Sequence, residues 1–252
     1  MIDLHSHLLP GLDDGAATLD ESLRILRALA DEGVSVVAAT PHVRHDYPTT
    51  PSQLADRLTL VRHAAREAGV TTEIVGGGEI AFEYLADQPF EEILAFALAG
   101  NRGFLLVEFP HFGWPPDLAE GLATLVSRGT RPVLAHPERN PAVQAAPMQL
   151  AALVDNGALV QVTADSLTPA ASRDVRQTAL HLVRTGLAHM VASDIHGSGV
   201  RRSTLTEARE AIRDDALWRW LTHGLPGAIV SASDLPDRPV GARRRRPRFL
   251  RS

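Results

Sequence analysis

The sequence predicts a parallel α/β protein built as one domain. Seven short β-rich runs alternate with helical patterns along 252 residues, the signature of βα units. Several runs are apolar almost throughout, which suits strands covered by helices on one face and packed core on the other. No Pro/Gly/Ser-rich linker divides the chain before about residue 235. Periodicity alone does not separate an open sheet from a closed barrel.

The strands are expected at Ile2–His5, Val34–Thr40, Thr72–Val75, Phe104–Phe109, Pro132–His136, Leu159–Thr163 and His189–Ser193. The first helix opens on Thr18-Leu19-Asp20-Glu21, a capping box, and runs to Glu32, with Gly33 as its stop. The second opens on Thr50-Pro51-Ser52-Gln53, with proline at the first helical position and Gly69 at its end. Further helices are expected over Asp117–Arg128, Met148–Asn156, Pro169–Thr185 and Ser203–Trp220.

Composition removes whole classes of chemistry. The chain has no cysteine, so disulfides, thiolate nucleophiles, cysteinyl-phosphate intermediates and cysteine-ligated zinc are excluded. All 25 residues counted as Lys+Arg are arginine, which excludes a Schiff base and a P-loop lysine. A metal-activated water or hydroxide is the expected nucleophile. The net charge of −5 conceals an asymmetry: residues 236–252 hold seven arginines against Asp237, a net of +6, so the other 235 residues carry −11. An acidic body disfavours nucleic-acid binding. The basic tail reads as disordered, and it suits an anionic lipid surface or an acidic, tyrosine-containing partner tail. The chain enters Ile2-Asp3-Leu4-His5 directly, without a basic n-region or cleavage site, and no apolar run is long enough to span a membrane, so the expected location is cytoplasmic.

The chemistry concentrates at the strand ends. His5-Ser6-His7 closes the first strand, where residues two apart point the same way. Gly11-Leu12-Asp13-Asp14-Gly15 follows, a tight loop that can turn a carboxylate back on the histidines. Later strands run into Thr40-Pro41-His42, Gly76-Gly77-Gly78-Glu79, Glu108, His136-Pro137 and Asp194-Ile195-His196. In parallel α/β folds ligands bind at these carboxyl ends. Five of the eleven histidines fall there; His45, His63, His111, His181, His189 and His223 are assigned structural places, with a loop role for His45 and Tyr47. Mixed imidazole and carboxylate donors suit manganese, iron or zinc better than calcium. Arg139, three residues after His136, is either a phosphate fork or a surface partner of Glu138.

Taken together, these motifs resemble the polymerase-and-histidinol-phosphatase (PHP) superfamily. More narrowly, the opening His-Ser-His-Leu-Leu-Pro-Gly-Leu-Asp-Asp-Gly is similar to the tyrosine-protein phosphatases of bacterial capsule and exopolysaccharide operons. The resemblance spans residues 1–235 and implies a distorted seven-stranded (β/α) barrel with three divalent ions, manganese foremost. Its ligand set maps onto His5, His7, Asp14, His42, Glu79, Glu108, His136, Asp194 and His196. Three such ions bring +6 against −4 from Asp14, Glu79, Glu108 and Asp194, leaving about +2 for a phosphate dianion and a bridging hydroxide. The implied reaction is hydrolysis of phosphotyrosine on a cognate tyrosine kinase, with a small-molecule phosphatase such as histidinol phosphatase, or a non-catalytic metal-binding regulator of a kinase, as alternatives. A second phosphate arginine is expected at Arg201 or Arg202, although Asp194-Ile195-His196-Gly197 departs from the family's usual Asp-Ala-His-Asn. Glu21-x-x-Arg24-x-x-Arg27 resembles the family's oligomerisation motif, and equally fits a solvated helix face.

Overall fold

The structure is a computed structural model and describes residues 1–197 and 204–239. Arg201, Arg202 and residues 240–252 lie outside the described residues.

The strands are β1 (Ile2–Asp3), β2 (Val36–Ala39), β3 (His42–Arg44), β4 (Tyr47–Pro48), β5 (Glu73–Gly76), β6 (Glu79–Ala81), β7 (Phe104–Glu108), β8 (Arg131–Ala135), β9 (Leu159–Thr163) and β10 (Met190–Ala192). The helices are α1 (Leu19–Asp31), α2 (Pro51–Glu67), α3 (Phe82–Leu85), α4 (Phe90–Ile93), α5 (Leu118–Ser127), α6 (Pro141–Ala145), α7 (Leu150–Asp155), α8 (Arg173–Thr185), α9 (Leu205–Ile212), α10 (Asp215–Arg219) and α11 (Leu225–Val230). Among the described residues no helix is long and apolar enough to cross a membrane.

The strands form a three-stranded sheet in the order β1-β2-β5 and a seven-stranded sheet in the order β10-β9-β8-β7-β6-β3-β4. All pairings are parallel except β3 with β4. The sheets divide where two expected strands break. Between β2 and β3 the chain passes Thr40-Pro41, where proline has no N–H to donate to a ladder. Here Thr40 N–H bonds Ser6 O at 2.9 Å and Pro41 O accepts from Glu79 N–H at 3.0 Å, so the strand changes partners. Between β5 and β6 it passes Gly77-Gly78, and a Cβ at Gly78 would lie 2.8 Å from the Phe96 ring. First and last strands meet through a parallel bridge between Ser6 and Ile195, flanked by Asp194 N–H to His5 O and His7 N–H to Ile195 O, each 2.9 Å.

Local chemistry explains the helix ends. Thr18 accepts from Glu21 N–H to start α1, but the Glu21 carboxylate takes Ala17 N–H instead of closing a reciprocal box. At α2 both halves of the Thr50–Gln53 box are present. The helix expected over Pro169–Thr185 starts late, at Arg173, because Ser172 caps Val175 N–H. Proline and a 3₁₀ turn over Pro147–Gln149 likewise delay α7. The single helix expected over Ser203–Trp220 is instead α9 and α10. Arg213 adopts a left-handed conformation (φ 54°) and the Asp214 carboxylate caps Leu217 N–H, so the helix stops and restarts. Trp220–Gly224 then forms one π turn leading into α11. Leucine, isoleucine and valine from α1, α2, α5 and α8 pack on strands whose side chains are almost all buried. The tail expected from residue 236 begins against the body. Trp220 Nε1–H bonds Pro236 O at 3.0 Å, and Arg238 covers the Trp220 ring while donating to Ala188 O and Val183 O.

Candidate metal centre

All nine residues expected as ligands converge at the carboxyl ends of the strands. Their donor atoms form four overlapping groups: His7, Asp14, His42 and His196; His5, Glu79 and His136; His5, His7 and Asp194; His42, Glu79 and Glu108. The side chains are buried, apart from a slightly exposed His196 and a half-exposed Asp14 at the mouth. Two ligand candidates hold left-handed backbone, His136 at φ 35° and Asp194 at φ 52°. Non-glycine residues rarely adopt it, and such strain clusters at functional sites.

The tautomers decide what the innermost group can bind. His5 Nδ1 lies 3.0 Å from the Gln161 amide oxygen, and His7 Nδ1 lies 2.7 Å from the Asp13 carboxylate. Both acceptors require N–H at Nδ1, which leaves both Nε2 atoms as bare lone pairs in the neutral rings. These lone pairs face each other at 3.2 Å, and each lies 3.3 Å from Glu79 Oε2 and 3.4 Å from Asp194 Oδ1. His5, His7 and Asp194 thus form one group with donors 3.2–3.4 Å apart, the spacing of ligands around one ion with bonds of about 2.0–2.1 Å, and Glu79 lies beside both imidazoles. Glu79 Oε2 and His42 Nδ1 are buried without a hydrogen-bond partner although only 3.0 Å apart, so they aim past one another. Donor chemistry and spacing therefore fit divalent cations.

Electrostatics point the same way. Burial opposes charge on Glu79, but His5 and His42 outweigh it and hold the carboxyl well below the usual range. Burial likewise opposes charge on Asp194, and Arg139 followed by His5 overcomes it. Asp13 is pulled down to about 2, because His7 outweighs its burial. The positive charge that keeps these carboxylates ionised includes protonated imidazoles, and a divalent cation held by the neutral rings would take over that role.

Several contributors escaped sequence reasoning. Asp13, read only as part of a loop, accepts from His7 Nδ1, from His42 N–H at 2.9 Å and from Gly15 N–H at 2.9 Å. Gly15 is required there, since a Cβ would lie 2.1 Å from His7 O. Gln161 was detectable as a polar residue flanked by valines in the middle of a strand. Arg44, two residues beyond His42 on β3, lies 3.3 Å from Glu108 Oε1 and beneath the Tyr47 ring, which itself stacks on His42. His111, assigned a structural place, instead reaches the cluster: its Nε2 lies 3.1 Å from Glu108 Oε1 and its ring parallels His136. Arg139 pairs with Asp194 Oδ2 at 2.7 Å, while the Glu138 carboxylate accepts Thr163 N–H. His45 faces Asp87 on the surface. On α1, Arg24 and Arg27 are exposed, whereas Glu21 is spent on the Ala17 N–H.

Fold and site together define a parallel α/β protein with a candidate polynuclear metal centre at its strand ends. The chain belongs to the CpsB/CapC family of capsular polysaccharide synthesis proteins, whose family model matches residues 1–216. It is 32% identical to the tyrosine-protein phosphatase YwqE of Bacillus subtilis over 210 residues, covering 82% of each chain. It is 28% identical to the tyrosine-protein phosphatase CpsB of Streptococcus agalactiae, covering 85% of this chain and 90% of that one. A crystal structure from the pair YwqE of B. subtilis and CpsB of Streptococcus pneumoniae, metal-dependent tyrosine phosphatases, superposes with a TM-score of 0.85 at 27% identity, over 96% of this chain and 100% of that one.

Proposed function

We propose that this chain is a metal-dependent protein-tyrosine phosphatase, acting on a phosphotyrosine-bearing protein of polysaccharide synthesis such as a cognate tyrosine kinase. One observation carries the reading: the Nε2 atoms of His5 and His7 converge with Asp194 Oδ1 at the spacing of donors around a single ion, with Glu79 beside them. Asp14, His42, Glu108, His136 and His196 extend that group and would complete the ligand set, with three ions and manganese first among candidates. The Ser6–Ile195 bridge between first and last strands supports a distorted seven-stranded barrel.

Bound divalent ions would polarise the phosphoryl oxygens and lower the pKa of an attacking water. The protein's own contribution is positional. Gln161 and Asp13 fix the tautomers of His5 and His7, so both rings present Nε2 inward. Arg139 is anchored by Asp194 through one nitrogen, which leaves other donors of its fork for the equatorial phosphate oxygens. Arg201 or Arg202 would supply a second guanidinium. With neither cysteine nor lysine in the chain, direct attack by water is the consistent route. Self-association through Glu21, Arg24 and Arg27, a cytoplasmic location, and contact of the basic tail with an anionic membrane surface complete the reading.

The test is hydrolysis by metal-stripped protein reloaded separately with manganese, iron or zinc. Phosphate release from phosphotyrosine peptides, lost on chelation and restored by metal, is the expected result. Robust turnover of histidinol phosphate with none of phosphotyrosine would overturn it, as would full activity after exhaustive chelation.

A further inference from the structure

A second concavity opens beside the centre. It has a volume of about 880 Å³ and lies between α3, α4, α5 and the loop after β7. Its wall is apolar, with Phe90, Phe112 and Leu125 among its residues. Phe112 is 83% exposed, an unusual place for a large apolar side chain with no ring partner among the described residues. The rim is acidic: Glu83, Asp117 and Glu120 are all exposed, and Arg128, the one arginine among the described lining residues, is already placed over the Phe90 ring at 4.8 Å.

His111 joins this groove to the cluster. It lines the groove, yet its Nε2 lies 3.1 Å from Glu108 and its ring is parallel to that of His136. A chain bound in the groove would therefore pass directly into the strand-end site. An apolar floor with a carboxylate rim is complementary to a bulky apolar side chain accompanied by arginine or lysine.

We propose that this groove binds the extended segment flanking the phosphotyrosine, and selects a bulky apolar residue next to basic ones. The inference rests on the phosphatase reading and adds to it a sequence preference that phosphate chemistry alone would not impose. Phe112 is then a specificity-determining residue, and Glu83, Asp117 and Glu120 set the charge of the preferred flank.

The experiment compares three substrates with the metal-loaded enzyme: p-nitrophenyl phosphate, a phosphotyrosine peptide flanked by alanines, and one flanked on both sides by Leu-Arg. Fluorescence anisotropy of the two peptides, made with a non-hydrolysable phosphonate, runs in parallel. The Leu-Arg peptide is expected to show a KM and Kd about tenfold lower than the alanine peptide. Phe112→Asp and Glu120→Arg, both exposed positions, should erase that advantage and leave p-nitrophenyl phosphate turnover unchanged. An absent preference, or one that survives both substitutions, overturns the proposal. So does a concentration-dependent dimer that Phe112→Asp dissociates without altering KM, because the occupant is then a second copy. Failure on every substrate would sink the phosphatase reading instead, and the anisotropy contrast would still decide the groove.

Discussion

Asp13→Asn is the most discriminating single change, because it leaves every expected ligand in place. The wild-type carboxylate is fully buried and takes three N–H groups, from His7, His42 and Gly15, at 2.7–2.9 Å. Asparagine keeps one acceptor oxygen and shape but removes the charge and places an NH₂ against a donor. The drop of the Asp13 carboxyl from 3.8 to about 2 corresponds to about 2.5 kcal/mol favouring its ionised form. Loss of an outer hydrogen bond to a ligating imidazole typically costs 10–100-fold, about 1.4–2.7 kcal/mol, which agrees in size. The expected outcome is a 10–100-fold weaker apparent affinity for manganese, measured by titrating metal into stripped protein by calorimetry and by activity. The kcat should recover substantially at saturating metal. Unchanged affinity with a collapsed kcat would refute the assignment of Asp13 as the group that orients His7.

Three further outcomes follow from particular contacts. His189 is held neutral, its pKa lowered to about 4 by burial and then by Arg238. The unfolded chain therefore binds the extra proton first, and this residue's contribution to stability is complete above about pH 6.5 and lost as pH falls toward 4. Between pH 7 and 4.5 that is at most about 2.5 kcal/mol; His189→Asn, which keeps an acceptor for Val160 N–H, should flatten the urea-unfolding profile by that amount, and parallel profiles would count against it. Gly15→Ala pushes a methyl to within 2.1 Å of His7 O, so thermal unfolding should show a loss of at least about 2 kcal/mol together with lost metal binding; a wild-type melting curve would contradict the packing. Arg139→Lys cannot reproduce a planar fork, and kinetics should show kcat/KM reduced about 10²-fold with metal content retained, whereas wild-type kinetics would remove Arg139 from phosphate binding.

What could be read from the sequence and what could not have separate physical origins. Most ligand candidates were legible because they follow an apolar run whose end is marked by a change to polar residues, as at Val107-Glu108 or Ala135-His136. The breaks at Thr40-Pro41 and Gly77-Gly78 were not, because a strand that changes partners keeps its own local pattern and only the neighbour is new. His111 lay in a loop with no periodicity to suggest that it stacks on His136, 25 positions later. Asp13 and Asp14 carry identical side chains, and which one turns inward to His7 depends on the close approach at Gly15. Arg213 interrupts an apparently continuous amphipathic helix through a left-handed backbone that no side-chain pattern announces.

The bridge between Ser6 and Ile195 also bears on the order in which the protein comes into being. His5 and His7 are translated well before Asp194 and His196, which stand against them but follow nearly two hundred residues later. Until then the nascent chain carries paired imidazoles and Glu79 without the carboxylate that completes the inner group. The centre is therefore completed only once the chain beyond β10 has been made, and any ion captured earlier is held by a partial set of donors.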